Sequence, residues 1–462
     1  MRLSYMKNKT GKRRAEKNLP FVNKDAAGID IGGSFHFVAV PSNRDENPVR
    51  KFGCFTRDLH ELADWLKKCG ITTVAMESTS VYWIPLYEIL EGRGFEVLLV
   101  NARHVKNVPG RKSDVLDCQW LQQLHTFGLL RGSFRPEQNI CELRSFMRQR
   151  ESLIQYASSH IQHIQKALTQ MNLQLSNVVD NVVGVTGLKI IRAIIAGERS
   201  PETLAKHRDP RCKQSEETIA KSLEGNYRNE HLFELKQALD LYEIYQNKIL
   251  ECDKEIEKII LSISQLTTDT LITEEQEKKD KINRKPRKHR NGLAFDPRNH
   301  LKKLTGVDLT KINGLDSHSI LRLIGEVGLD MNKWLTAKHF GSWLCLAPGS
   351  KISGGRILSS KTIPSNNRAA NILRIGASTL HHSNSALGAF LRRQKTRLGA
   401  PKAITATAYK MARIFYCMLK HRKEFDDRGK DYYDEQYKEK IIFNMQRKAD
   451  KLGFLLTPKN IT

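Results

Sequence analysis

The sequence predicts an α/β domain followed by a mostly helical remainder, and three observations carry that prediction. From Ala26 to about Leu124, short apolar runs alternate with segments of helical spacing. From about Cys141, apolar residues recur every seven positions in two long runs. The last third returns to short helical segments punctuated by glycine turns, after a stretch dense in Lys and Arg. The 462 residues suffice for two or three domains with ordinary cores. The expected divisions are a basic arm at 1–20, an α/β domain at 21–135 and a coiled-coil region at 140–272 with an insertion near 178–212. A basic linker at 273–303, a C-terminal domain at 304–430 and a tail at 431–462 complete the chain.

The arm carries Arg2, Lys7, Lys9, Lys12, Arg13, Arg14 and Lys17 against Glu16, a pattern suited to touching phosphates. Ala26 to Val40 then reads as two strands joined by a tight turn at Gly32-Gly33. Ala27 to Ile31 is apolar except at Asp30, and an ionised group inside a buried strand is costly unless something compensates it. Val49 to Phe55 reads as a third strand. Leu59, Leu62, Ala63 and Leu66 lie at helical spacing, and Thr72 to Glu77 reads as a strand. Val81 to Leu90 begins a helix, with Pro85 in its first turns and Gly92 and Gly94 beyond its end. Phe95 to Asn101 is a strand, and Ser113 suits the N-cap of a helix running to about Leu124.

Three strands, helix, strand, helix, strand, helix is the ribonuclease H-like order. Its metal-binding acids sit in the first strand, at the end of the fourth strand and on the last helix. The sequence supplies Asp30, Glu77 and the pair Asp114 and Asp117 at those places. Spacing i, i+3 puts the last two on one helical face. Four carboxylates brought together need cations, and hard oxygen donors select Mg²⁺ or Mn²⁺.

Charge narrows the partner. Lys and Arg number 76 against 50 Asp and Glu, a formal net charge of +26. That excess calls for a polyanion, and nucleic acid is the default. No apolar run is long enough to span a bilayer, no secretory signal pattern is present, and the basic segments lack long amphipathic faces, so no membrane role is expected. The eight cysteines form no C-x-x-C pair, which disfavours a zinc ribbon and suits a reducing cytoplasm.

Met147, Ile154, Ile161, Leu168 and Leu175 form the first heptad run, with Ala157, Ile164 and Met171 between them. Leu235, Tyr242, Ile249, Ile256 and Ile263 form the second, alternating with Ala238, Tyr245, Cys252, Ile259 and Leu266. Two such runs predict an antiparallel hairpin or a subunit interface. His160 and His163 share a helical face and read as surface or interface residues. Between the runs, a short apolar helix near Leu188 to Ala196 is followed by an expected polar loop with Pro201 and Pro210. Lys278 to Lys303 reads as a basic, proline-interrupted linker suited to nucleic acid.

In the last domain, Ile312-Asn313-Gly314-Leu315-Asp316 lies between apolar helical segments. It looks like a helix-hairpin-helix, with the Gly314 amide toward a phosphate. A helix follows at Ala337 to Leu346, then a loop rich in Gly, Ser, Lys and Arg. Ser353 precedes Gly354-Gly355, and its hydroxyl is a candidate to attack phosphorus. Lys351, Arg356 or Lys361 would neutralise charge, and Ser359 and Ser360 are rivals for the role.

The joint pattern resembles the insertion-sequence transposases that pair a RuvC-like acidic tetrad with a C-terminal serine domain, described as bridge-RNA-guided recombinases. The matching residues are GID at Gly28 to Asp30, MES at Met76 to Ser78, and KSDVLD at Lys112 to Asp117. In the last domain they are LCLAPGSKISGG at Leu344 to Gly355 and NRAANILR at Asn367 to Arg374. The resemblance spans about residues 25 to 425, and the insertion and basic linker are like the longer-armed branch of the family.

The resemblance implies a recombinase acting on donor and target DNA in a bacterial or archaeal cytoplasm, at the nucleoid. A structured bridge RNA would supply sequence choice. Asp30, Glu77, Asp114 and Asp117 would bind Mg²⁺ or Mn²⁺ at the scissile phosphate, and Ser353 would form a covalent phosphoserine link. Acids and serine would come from different subunits of a tetramer built from dimers. Lys112, Gly314, Lys351, Gly354, Gly355, Arg356, Lys361 and Arg368 are the expected nucleic-acid contacts. A RuvC-like nuclease without a covalent intermediate and a scaffold without chemistry are the alternatives. An actin-like sugar kinase, which GIDIGGS also suggests, needs a second glycine hairpin that the chain lacks.

Overall fold

The computed structural model describes residues 20–101, 114–266 and 291–457. Lys112, the arm up to residue 19 and linker residues 273–290 lie outside the described residues. The chain divides into two compact units, residues 1–135 and 136–462.

The first unit is a mixed five-stranded sheet with helices on both faces. Its elements are β1 (Ala26–Ile31), β2 (Phe35–Ala39), β3 (Val49–Gly53), α1 (Thr56–Lys68), β4 (Thr73–Glu77), α2 (Trp83–Gly92), β5 (Glu96–Val100) and α3 (Asp114–Thr126). Strand order is β3-β2-β1-β4-β5. β1, β2 and β3 pair antiparallel, whereas β4 runs parallel to both β1 and β5. This arrangement is compatible with a ribonuclease H-like domain. Strand alternation divides the β1 side chains between the two faces. Ala27, Ile29 and Ile31 join Leu59, Leu62, Leu66, Leu86 and Leu90 in one core under α1 and α2. Gly28 and Asp30 turn the other way.

The second unit is built on two long helices, α4 (Gln138–Gln170) and α9 (Asn229–Leu266). Arg150 meets Asp253 and Tyr156 meets Tyr245, so the helices run antiparallel. His160 stacks on Tyr245 with ring centroids 5.3 Å apart, within the pairing of the two arms. The first heptad run extends less far than its spacing predicts. α4 stops at Gln170, so Met171 lies in the following connection and Leu175 opens a separate turn of helix, and Ile154 and Ile161 are only half-buried. Arg150 takes a core position instead. Both it and Asp253 are 2% exposed.

The insertion departs from expectation as well. The apolar helix is α6 (Val185–Ile195), but α7 (Pro201–Ala205) and α8 (Glu216–Ser222) stand where a polar loop was predicted, after a single turn of helix, α5 (Leu175–Val178). Ser200 caps α7 through the Thr203 amide and Pro201 occupies its first turn, while Ser215 caps α8. Ile190, Ile191, Ile194, Leu204, Ile219 and Leu223 are buried together, so these short helices are held by a shared apolar core rather than by propensity.

The last region comprises α10 (Arg298–Thr305), α11 (Ser317–Val327), α12 (Ala337–Trp343), a hairpin of β6 (Lys351–Ser353) and β7 (Arg356–Ser359), α13 (Arg368–Ser378), α14 (Ala386–Leu398), α15 (Ala400–His421) and α16 (Gly429–Lys451). The helix-hairpin-helix expectation needs correcting in its first arm: Leu309–Lys311 is a single 3₁₀ turn capped by Asp308. Gly314 has φ of +87°, and an added Cβ would lie 2.5 Å from the Gly376 carbonyl oxygen. Glycine is therefore required there by close packing on α13. The expected loop after Pro348 contains the β6–β7 hairpin.

Candidate active site

The acidic cluster is assembled by one close approach between a strand and a helix. A Cβ on Gly28 would lie 2.3 Å from the Gln122 nitrogen and 2.4 Å from the Cys118 carbonyl oxygen. Only glycine lets α3 lie this near β1. Asp30 is two residues further along the strand and so on the same face, while Asp114 and Asp117 occupy the first turn of α3. The far end of the helix is tied to β4 by the buried Thr73 Oγ1–His125 Nε2 bond of 2.9 Å. Because the Thr73 hydroxyl donates to the Glu96 carbonyl at 3.0 Å, it accepts from His125. Burial lowers the His125 pKa and favours its neutral ring.

Glu77 ends β4. Parallel pairing sets Ile29 beside Met76, so Asp30 and Glu77 are the next residues along adjacent strands. The Thr79 hydroxyl donates to Glu77 Oε1 at 3.3 Å. Asp30 is half-buried and its pKa is pushed up to about 6, first by burial and then by the charges of Glu77, Asp114 and Asp117. The Ile31 amide offsets part of this. All four predicted acids therefore share one electrostatic neighbourhood. Among the described residues, no three His, Cys, Asp or Glu side chains are gathered closely enough to hold a metal ion. The donor chemistry, oxygens only and mutually repelling, nevertheless suits a hard divalent cation.

Cys118, one of the eight scattered cysteines, is fully buried beside the acids. Its thiol is pushed up to about 12 by burial and by Asp30, and it donates to the Val115 carbonyl at 3.1 Å. It is a neutral packing residue, not a nucleophile. Gly28 was also missed as a structural determinant; a glycine inside an apolar strand was its available signal.

The serine segment has a different character. Ser353 pairs with Arg356 across a two-residue turn. Gly354 and Gly355 have φ of +54° and +74°, the twist of a type I′ hairpin. Ser353, Lys351, Arg356 and Lys361 are all exposed. The hairpin is rooted by the Gly349 amide on the Lys361 carbonyl at 3.0 Å. Arg368 stands apart from these cations: together with Arg322 it grips Glu151 of α4, at 3.0 and 2.6 Å.

Two family models match the chain in the order of these regions. Residues 27–173 match the DEDD_Tnp_IS110 model, described as a transposase, and residues 308–391 match the Transposase IS116/IS110/IS902 family. The chain is an IS110-type transposase. No curated protein matches it. As an insertion-sequence transposase it acts on DNA, breaking and rejoining strands. The acidic neighbourhood of the transposase lies in the first matched segment and the serine hairpin in the second. Among its described residues, no helix is long and apolar enough to cross a membrane.

Proposed function

We propose that the transposase recombines donor and target DNA through a covalent phosphoserine intermediate, with sequence choice supplied by a bridge RNA. The observation that supports the reading is that half-buried Asp30 feels the charges of Glu77, Asp114 and Asp117, in a chain that also presents an exposed serine at a cationic hairpin tip. Asp30, Glu77, Asp114 and Asp117 would hold Mg²⁺ or Mn²⁺. When bound, the cation neutralises charge on the scissile phosphate.

Ser353 Oγ attacks phosphorus. The new Oγ–P bond replaces the P–O3′ bond, and the serine proton ends on the departing 3′-hydroxyl. Attack by a second 3′-hydroxyl reverses the exchange, restoring the serine and sealing a new phosphodiester. The bond's free energy is thus kept rather than lost to water. Lys351 and Arg356 offset charge on the reacting phosphate, and Lys112, Gly314, Gly354, Gly355, Lys361 and Arg368 contribute nucleic-acid contacts. The serine proton needs an acceptor, and the acidic site is the proposed source, contributed by another subunit of a tetramer.

The test is a denaturing gel of wild type, Ser353→Ala and Ser359→Ala on labelled DNA with the bridge RNA present or omitted. Wild type and Ser359→Ala should give a protein–DNA adduct only with RNA, and Ser353→Ala none. An adduct lost with Ser359→Ala alone moves the nucleophile. Cleavage by wild type without any adduct makes the enzyme a metal-dependent nuclease, and recombination without RNA removes the guide.

A further inference from the structure

The C-terminal helix α16 buries none of its residues, yet it lies beside α14 and helps to enclose a cleft of about 450 Å³. That volume is within the range of small-ligand sites. Most of the lining comes from beyond residue 391, outside both family-matched segments. Its chemistry is unlike that of an ordinary helix junction. The Arg393 guanidinium lies 3.5 Å from the ring centre of Tyr437 and 4.9 Å from that of Tyr433. The Lys410 ammonium lies 4.8 Å from the Phe390 ring and 5.1 Å from that of Tyr433. Lys440 adds a further cation to the lining.

Two cations thus share three rings, and neither Arg393 nor Lys410 has a carboxylate within ion-pair distance among the described residues. Asp426 and Asp427 are the acids of the cleft. Asp427 Oδ1 already accepts from the Ala386 and Gly429 amides, at 3.0 and 3.2 Å. Burial, followed by the charges of Arg393 and Arg413, holds the Lys410 ammonium below its usual range although the Asp427 charge offsets part of this, so an added anion here would relieve the remaining repulsion. The aromatic surface exceeds what a free anion needs. Rings combined with cations are the complement of a base and its phosphate. In a duplex the base faces are stacked away, so the occupant must be unpaired.

We propose that this cleft binds an unpaired nucleotide of a single-stranded nucleic acid, with its base against Tyr433 and Tyr437 and its phosphate at Arg393 and Lys410. The proposal rests on the reading of the chain as a nucleic-acid recombinase and assigns that activity a single-strand holding site distinct from the acids and from Ser353. The strand is either RNA or locally opened DNA, and the two are separated by the test.

Fluorescence anisotropy of the full-length protein is measured with labelled ten-nucleotide RNA and DNA single strands and with a duplex. The comparison uses wild type, Tyr437→Ala, Arg393→Gln and Tyr437→Phe. Tyr437 is exposed on a helix that buries nothing, so its removal leaves the fold intact. Tyr437→Ala and Arg393→Gln should each weaken binding of one single strand about tenfold or more, leave the duplex within about twofold, and lose quenching of a 2-aminopurine base. Tyr437→Phe should bind like wild type because the ring is kept. The strand that loses affinity, RNA or DNA, identifies the source. Unchanged single-strand binding by both variants overturns the proposal, as does an equal loss for the duplex. Failure of the recombinase reading would appear separately, as wild type that never cuts DNA whatever these affinities are.

Discussion

The acidic cluster and the serine hairpin are organised in opposite ways. Asp30 is held between a packed sheet and a helix drawn in by a glycine, with Thr73 and His125 pinning the far end. Ser353 stands on a two-stranded hairpin whose Ile352, Ile357 and Leu358 are 63%, 68% and 68% exposed, and a Cβ on Gly354 or Gly355 would touch nothing. An isolated two-stranded hairpin is marginal in water. The acids are therefore preorganised by their own unit, whereas the hairpin that carries Ser353 has few packing contacts to fix it. This difference suits the proposed chemistry, in which preorganised acids act with a serine supplied from elsewhere.

The largest expected effect tests the preorganised side. Asp30→Asn should reduce DNA strand cleavage about a thousandfold or more, since several kcal/mol of charge stabilisation at phosphorus would go with it. Removing one of four like charges should also raise the thermal midpoint slightly in EDTA. Added Mg²⁺ should then stabilise wild type more than the variant. Cleavage at the wild-type rate, or equal Mg²⁺ stabilisation of both proteins, breaks the assignment of these acids to a cation.

Next comes a check that looseness is confined to the hairpin and not general to its unit. Arg150 and Asp253 form a buried pair in which Arg150 also donates to the Asn291 and Gly292 carbonyls, at 3.1 and 2.7 Å, and Asp253 accepts from the Ala294 amide at 3.0 Å. Arg150→Met leaves Asp253 buried without its cation and should cost about 3–5 kcal/mol in urea unfolding. A cost below about 1 kcal/mol would mean the pair is solvated.

Gly28→Ala should cost about 1–3 kcal/mol, because the new methyl meets helix backbone and pushes α3 outward. Cleavage should fall with it, although no acid has been altered. Unchanged stability and cleavage would deny that this contact sets the site.

The smallest effect belongs to the hairpin. Gly355→Ala has space for its methyl but not a suitable φ, so it should leave global stability within about 0.5 kcal/mol. Adduct formation should drop about fivefold, the equivalent of about 1 kcal/mol of strain in the turn. A large global loss would show that the hairpin is part of a core.

What the sequence determined by itself was what depends on near neighbours along the chain. Short apolar runs and a glycine turn mark the strands, three-to-four spacing marks α1, and the i, i+3 acids mark the face of α3 that carries Asp114 and Asp117. Asp30 stood out because a carboxylate among apolar strand residues is costly wherever that strand ends up. Other features were decided only by partners distant in sequence. Arg150 falls within the span of the first heptad run, and only Asp253, 103 positions away, makes it a core residue. The glycine at 314 suggested a phosphate contact, and α13 packing accounts for its conformation. α7 and α8 are too short to persist without the apolar core they share with α6, so local sequence predicts a loop there. The cleft under α16 has no local signature at all, because its cations and rings come from three helices and meet only when those helices pack. Local patterns specify elements through backbone sterics and side-chain period; which polar groups become buried, paired or poised for a ligand is set by long-range packing.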